Sequence, residues 1–235
     1  MNNYTNIDDS ELSILEESQL QFEAKGFQSI ISDDGKQNFE RLNTKISNLP
    51  IKLESRRYIG NKNKLLDWIK ENIDSNTKNC TSFFDVFAGT ASVTKVMAKK
   101  YEKIVLNDIL FSNEVIYKAF FKIGDYNKEK LEQILQNYNQ IEIDSLENNY
   151  FSDNFGNKFF DIENAKLIGY IREDIENKKN DLTEKEYCIL LATLIYNIDK
   201  IANTVGHFDA YIKKTIKSIK LHLKMIESLN NLMKN

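Results

Sequence analysis

Between Phe83 and Asp108 the chain reads Phe83-Phe84-Asp85-Val86-Phe87-Ala88-Gly89-Thr90-Ala91-Ser92-Val93-Thr94 and then Ile104-Val105-Leu106-Asn107-Asp108. An apolar run rich in aromatics leads into a turn of small residues, then a helical pattern, then a second apolar run that closes on Asn-Asp. Strand, loop, helix and parallel strand in succession produce that order. In an open parallel sheet the crevice lies beyond the carboxyl ends of the strands, so Asp85 to Gly89 and Asp108 would reach one pocket. Gly89 has no Cβ and lets the backbone approach a ligand closely. Asp108 follows it by nineteen residues, about the separation at which an acid ending the second strand accepts hydrogen bonds from ribose hydroxyls.

The same stretch argues against a dinucleotide. A pyrophosphate fingerprint needs glycines at its first, third and sixth positions, and counting from Gly89 the chain has Ala91 and Thr94 instead. A nucleoside without phosphates fits better, and S-adenosylmethionine is the common one. An ordinary buried strand and tight turn, with Asp108 as a helix cap, stays open on these residues alone.

The chain has 235 residues, enough for one large domain or two small ones. Its longest mainly apolar run, Tyr187 to Tyr196, is too short to cross a bilayer, and Met1 to Leu12 is polar and acidic, unlike a signal peptide. A cytoplasmic location is the expectation, with no membrane partner. Cys80 and Cys188 stand far apart, and with only His207 and His222 besides they suggest neither a disulfide framework nor a metal site; both cysteines are expected to be buried thiols. The net charge of −3 divides unevenly. Residues 1–50 hold nine acids against four bases, which leaves +2 for the rest, so any DNA surface must be a local patch.

Residues 1–50 read as an acidic helical extension, with helical patterns over Asp8 to Phe22 and Phe39 to Ile46. Then Arg56-Arg57-Tyr58-Ile59-Gly60-Asn61-Lys62-Asn63-Lys64 runs into a helix whose Leu65, Leu66, Ile69 and Ile73 share a face. A turn at Gly60 before a helix start, with Lys62 beside it, suits a carboxylate; a plain helix start with exposed lysines suits the sequence as well. Val93, Val96, Met97 and Tyr101 share the next helical face. Ser112 is the expected cap of a helix over Asn113 to Phe121.

From Gly124 onward the pattern is helical and strand-poor. Helices are expected over Lys128 to Gln140, Ile162 to Glu176 and, centrally buried, Glu184 to Ile201, with an aromatic loop over Tyr150 to Gly156. Asn203 to Phe208 reads as an interhelical loop, where His207 is an ordinary hydrogen-bonded residue. A last helix is expected from Ile212 through Met233. It would carry Lys213, Lys217, Lys220 and Lys224 as a stripe that could rest on phosphates or simply face solvent.

The order of these pieces resembles the amino-terminal part of the alpha-group, Dam-like adenine-N6 DNA methyltransferases of restriction-modification systems. Tyr58-x-Gly60-x-Lys62 opens a helix, Asp85-x-Phe87-x-Gly89 follows a strand, and Asn107-Asp108 follows the next. The resemblance is clearest over residues 56–121. More loosely, Ser152 to Gly156 and Asn203 to Phe208 look like the helical segment that some members insert before the catalytic motif. It implies an α/β fold, a partial Rossmann-like methyltransferase sheet over 51–122 followed by a largely helical region over 123–235 that is a candidate target-recognition segment. It also implies that Tyr58, Gly60 and Lys62 sit at the methionine end of S-adenosylmethionine, that Asp85, Phe87 and Gly89 shape the methionine and adenine pocket, and that Asp108 binds the ribose.

Two departures stand out. The family usually has a second glycine where this chain has Ala91. Its Asp-Pro-Pro-Tyr tetrapeptide, which binds and stacks on a flipped adenine, cannot occur in a sequence whose sole proline is Pro50. The expectation is therefore a component of a site-specific DNA adenine methyltransferase, a split subunit or truncated form. Double-stranded DNA and a complementary carboxyl-terminal chain would be its partners, and an unfinished sheet edge would be exposed. The competing expectations are a non-enzymatic DNA-binding or regulatory module with a degenerate pocket, and a nucleoside-binding enzyme of other chemistry.

Overall fold

The computed structural model describes residues 62–122, 124–205, 208–213 and 219–226. The helical patterns of residues 1–50 therefore lie outside the described residues, as do Tyr58 and Gly60. After a short 3-10 turn over Lys62–Leu65, the elements run α1 (Leu66–Asn76), β1 (Ser82–Asp85), α2 (Ser92–Met97), β2 (Lys103–Leu106), α3 (Phe111–Phe121), α4 (Lys128–Asn139), α5 (Tyr150–Phe155), α6 (Ile162–Asn177) and α7 (Glu184–Ile201). Short 3-10 turns cover Ile143–Ser145 and Lys179–Asp181.

β1 and β2 pair in parallel, Phe83 opposite Ile104 and Asp85 opposite Leu106. Among the described residues they are the whole sheet. One face packs on α1 and α2, where Val93, Met97, Ala98, Tyr101 and Ile104 are buried against Leu66, Ile69 and Ile73, and Phe83 stacks on Tyr101 at 5.4 Å. The small sheet is thus covered on one side by the amphipathic faces that the sequence pattern marks. Phe84 and Val86 remain exposed. Cys188 is buried in α7, and burial pushes its thiol up to about 11. Cys80 corrects the expectation of a buried thiol: it is exposed in the link to β1.

α3 joins the sheet to the helical region. Its Val115, Ile116, Ala119 and Phe120 belong to one core with Leu131 and Leu135 of α4, Ile168 and Ile171 of α6, and Ile189, Leu190 and Ala192 of α7. Phe120 meets Tyr196 edge-on at 6.2 Å. Ser112 is not the cap of α3. The helix starts two residues earlier, after Leu110, with no side-chain cap, and the Asp108 carboxylate takes the Leu110 N–H instead.

The expected aromatic loop after Asn149 is a helix, α5. Asn149 and Ser152 form a reciprocal capping box that supplies the otherwise orphaned donors of its first turn. The Asn149 side chain also reaches the Lys166 carbonyl of α6, passing within 2.1 Å of where a Cβ on Gly169 would stand. Only glycine permits that crossing. α7 begins on a second capping box, Thr183 with Glu186.

The expected last helix is corrected most sharply. Residues 219–226 are not helical; over 220–224 the chain alternates with a period of two, Leu221 and Leu223 buried and Lys220, His222 and Lys224 exposed, and Ile226 is buried beyond it. Three asparagines hold this segment. Asn164 donates to the Ile219 carbonyl at 2.8 Å and accepts from the Leu221 N–H at 2.8 Å. Asn139 donates to the Leu223 carbonyl at 2.9 Å and accepts from its N–H at 2.7 Å. Asn197 donates to the Lys224 carbonyl at 2.9 Å. In an extended chain the N–H and C=O of one residue point to the same edge and those of the next to the opposite edge. Asn139 and Asn164 therefore line one edge and Asn197 the other.

Asn139→Ala would leave both backbone groups of Leu223 without these partners at a buried position, at a cost of about 1–3 kcal/mol read by urea unfolding. A second expectation concerns acid. Burial works to raise the Glu186 carboxyl, but hydrogen bonds from the Asn127 N–H, the Lys130 ammonium and the Thr183 N–H outweigh it and hold the pKa below its ordinary 4.5. A depressed folded pKa gives stability that is complete above the unfolded value and is lost as the pH falls through the folded one. Glu186→Gln should lower stability at neutral pH and flatten its decline on acidification below about pH 4, measured by urea unfolding at a series of pH values.

Candidate functional site

The site forms where β1 and β2 end. Asn107 continues the ladder past β2, its N–H donating to the Asp85 carbonyl and its carbonyl accepting from Ala88 N–H, each at 2.9 Å. Its side chain donates to the Val86 carbonyl at 2.9 Å. The loop after β1 is thereby tied residue by residue to the end of β2.

Asp108 closes the arrangement. One carboxylate oxygen accepts the Gly89 N–H at 2.8 Å, and the other accepts from the Leu110 N–H and the Asn113 side chain, both at 2.9 Å. Of the two roles the sequence left open, the contacts at Leu110 and Asn113 are those of a residue serving the start of α3. Gly89 adopts φ +53°, and a Cβ built there meets nothing within 4 Å, so its surroundings are open. Its carbonyl accepts from the Tyr117 hydroxyl of α3. Lys62 donates to the Phe87 carbonyl at 3.0 Å, which brings the start of α1 to the same loop.

Asp85 is placed differently from Asp108. It is buried, and its carboxylate accepts from the Thr94 hydroxyl of α2 at 2.6 Å, anchoring that helix to the strand end. Ala91, at φ 55° and ψ 26°, is left-handed and fully buried. That backbone costs a residue with a side chain about 1–2 kcal/mol, and a glycine would adopt it freely. Around the loop, Phe87, Ile109, Leu110 and Phe111 are exposed, an apolar rim beside the polar groups.

The structure thus brings together Lys62, Asp85, Phe87, Gly89 and Asp108. Of the lysine stripe, Lys213, Lys220 and Lys224 are exposed but share no helix, and Lys217 lies outside the described residues, as does His207. Sequence reasoning quoted Asn107 in its motif without a role and missed Asn113, Thr94 and Tyr117, which with it hold the loop. Asn107 adjoins a marked acid and was legible as part of the motif; Tyr117 reaches Gly89 only through the packing of α3. The two loosely marked segments are bridged by the phenylalanines between them: Phe208 packs on Phe159 and Phe160 at 5.8 and 6.1 Å, Phe159 on Phe155 at 6.0 Å, and the Asn203 N–H reaches the Phe159 carbonyl.

A sequence profile of the D12 class N6 adenine-specific DNA methyltransferases matches residues 58–235, from the first motif through the clamped segment. The chain belongs to this class. It is 33% identical over 168 residues to the type II methyltransferase M.CviAII of Paramecium bursaria Chlorella virus 1, covering 68% of this chain and 50% of the relative. It is 31% identical over 170 residues to the type II methyltransferase M.NlaIII of Neisseria lactamica, covering 68% and 50%. The type II methyltransferase M.FokI of Planomicrobium okeanokoites is 31% identical over 192 residues, covering 74% of this chain and 30% of the relative. The matches therefore span half or less of the length of these relatives. No solved structure matches the chain significantly. Among the described residues, no helix is long and apolar enough to cross a membrane.

Gly89→Ala tests the loop. The substitution meets open space, so its cost is backbone strain alone, about 1–2 kcal/mol. The expected result is that loss in urea unfolding with an unchanged far-UV circular dichroism spectrum.

Proposed function

We propose that the chain supplies the S-adenosylmethionine-binding part, and a DNA-contacting surface, of a site-specific adenine-N6 methyltransferase of the Dam-like group. The Asp-Pro-Pro-Tyr chemistry would lie outside these 235 residues, as in a split subunit or a truncated form. The observation that carries this reading is the bond between the Gly89 N–H and the Asp108 carboxylate across the ends of two parallel strands, at the place where such sheets take nucleosides.

The residues present fit the cofactor in donor and acceptor capacity. A carboxylate offers about four lone-pair sites, and Asp108 uses three, leaving acceptor capacity for a ribose hydroxyl. Lys62 spends one of its three donors on the Phe87 carbonyl and keeps the others for the methionine carboxylate, the end of the cofactor to which the sequence motif also assigns Tyr58 and Gly60. Phe87 and Gly89 shape the pocket wall. Asp85 acts through Thr94 and keeps the loop in place. The open space at Gly89 leaves room for a ligand against the backbone. When bound, the cofactor supplies a methyl group made electrophilic by its sulfonium; the chain's own residues bind and orient it, and the apolar rim of Phe87, Ile109 and Phe111 limits water.

The exposed Phe84, Val86 and Phe87 at the sheet support the complementary-chain reading, since apolar surface of this kind marks a contact. The left-handed Ala91 favours the second reading, a DNA-binding or regulatory module whose pocket has degenerated. Calorimetry with S-adenosylmethionine separates the two. Binding by the full chain, weakened about tenfold or more in Asp108→Ala, which is about 1.4 kcal/mol, is the expected result. No heat with the wild type would sink the cofactor reading. Mixing the chain with a polypeptide that carries Asp-Pro-Pro-Tyr should transfer radiolabelled methyl groups to DNA.

A further inference from the structure

The segment 219–226 presents a row of polar side chains on a fixed backbone. Lys220, His222 and Lys224 are exposed, and Leu221 and Leu223 between them are buried. Alternate residues of an extended chain stand roughly 6.6 Å apart on one face, so the three side chains form a straight, evenly spaced line. Successive phosphates of a nucleic-acid strand have a comparable separation. A helical stripe would instead place its charges one above another in pairs.

Lys200 joins this row from α7. Its ammonium donates to the Asn197 side-chain oxygen at 3.4 Å while the same amide's nitrogen holds the Lys224 carbonyl at 2.9 Å. One asparagine thus sets a helix lysine beside the end of the extended row. Several other lysines of the helical region, Lys118, Lys122, Lys130 and Lys178, are spent on carboxylates.

We propose that the solvent face of the clamped segment, Lys220, His222 and Lys224 with Lys200 alongside, is a contact strip for a DNA phosphate backbone. The proposal rests on the reading of this chain as part of a DNA-acting enzyme, and it replaces a helical lysine stripe with a linear one. The lysines contribute charge and His222 a ring N–H donor. The asparagine clamp pre-orders the backbone, so that binding need not immobilise a flexible loop, which is one of the principal costs of association. Contacts of this kind position a protein on the duplex without reading its bases.

The test uses the full chain and a fluorescent double-stranded oligonucleotide, with anisotropy measured over a range of salt. Each lysine that neutralises a phosphate contributes about 0.9 to the slope of log K against log salt, so Lys220→Gln with Lys224→Gln should reduce it by about 1.8. Lys95→Gln with Lys99→Gln, two exposed positions near α2, should leave the slope unchanged. An unchanged slope in the first variant, an equal loss in the second, or no DNA binding by the wild type at low salt would each overturn the proposal. Calorimetry with S-adenosylmethionine on the same samples keeps the two readings apart. Cofactor binding without DNA binding refutes the strip alone, and DNA binding through the strip without cofactor binding refutes the cofactor reading alone.

Discussion

The Asp108 carboxylate holds the ends of two strands and the start of a helix with one pair of oxygens. It takes the Gly89 N–H on one side and the Leu110 N–H and Asn113 amide on the other. Because a hydrogen bond to a charged acceptor is roughly twice as strong as a neutral one, this single side chain fixes the loop against β2 and sets the point from which α3 departs. α3 then carries the position of the sheet into the helical region through Phe120 and Tyr196. The geometry of the loop after β1 and the packing of the large core are consequently linked through one helix.

The small sheet and the large helical core contrast in how they are stabilised. The sheet is covered by α1 and α2 on one side and leaves Phe84 exposed. The helical region is closed by capping boxes at α5 and α7 and by the buried face of α7, whose Ile189, Leu190 and Ala192 are fully buried. Residue 122, where the sequence suggests a boundary, lies at the end of α3, inside a run of structure served by one continuous core.

Much of this was legible in the residues. The strand-loop-helix-strand order over 83–108 appears as written, and α7 falls over Glu184–Ile201 as its apolar pattern implies. The capping pair Asn149 and Ser152 was also present in the sequence, yet the aromatics between them read as a loop. Residues 219–226 were misread because Ile219, Leu223 and Ile226 recur at four and three residues, a helical spacing, although Ile219 is exposed and the buried alternation runs through Leu221 and Leu223. What decides the matter is distant: Asn139 stands 84 positions before Leu223. No local pattern records that an amide so far away will satisfy the backbone. Likewise the roles of Thr94 and Tyr117 depend on which helix meets the loop, which only the packing reveals.

An extended chain normally advertises its unpaired N–H and C=O groups to any passing strand. Here Asn139 and Asn164 cover part of one side of the segment and Asn197 part of the other. The polypeptide keeps the shape of a strand while refusing the company of one, a safeguard against misassembly written in amides rather than in prolines or bulges.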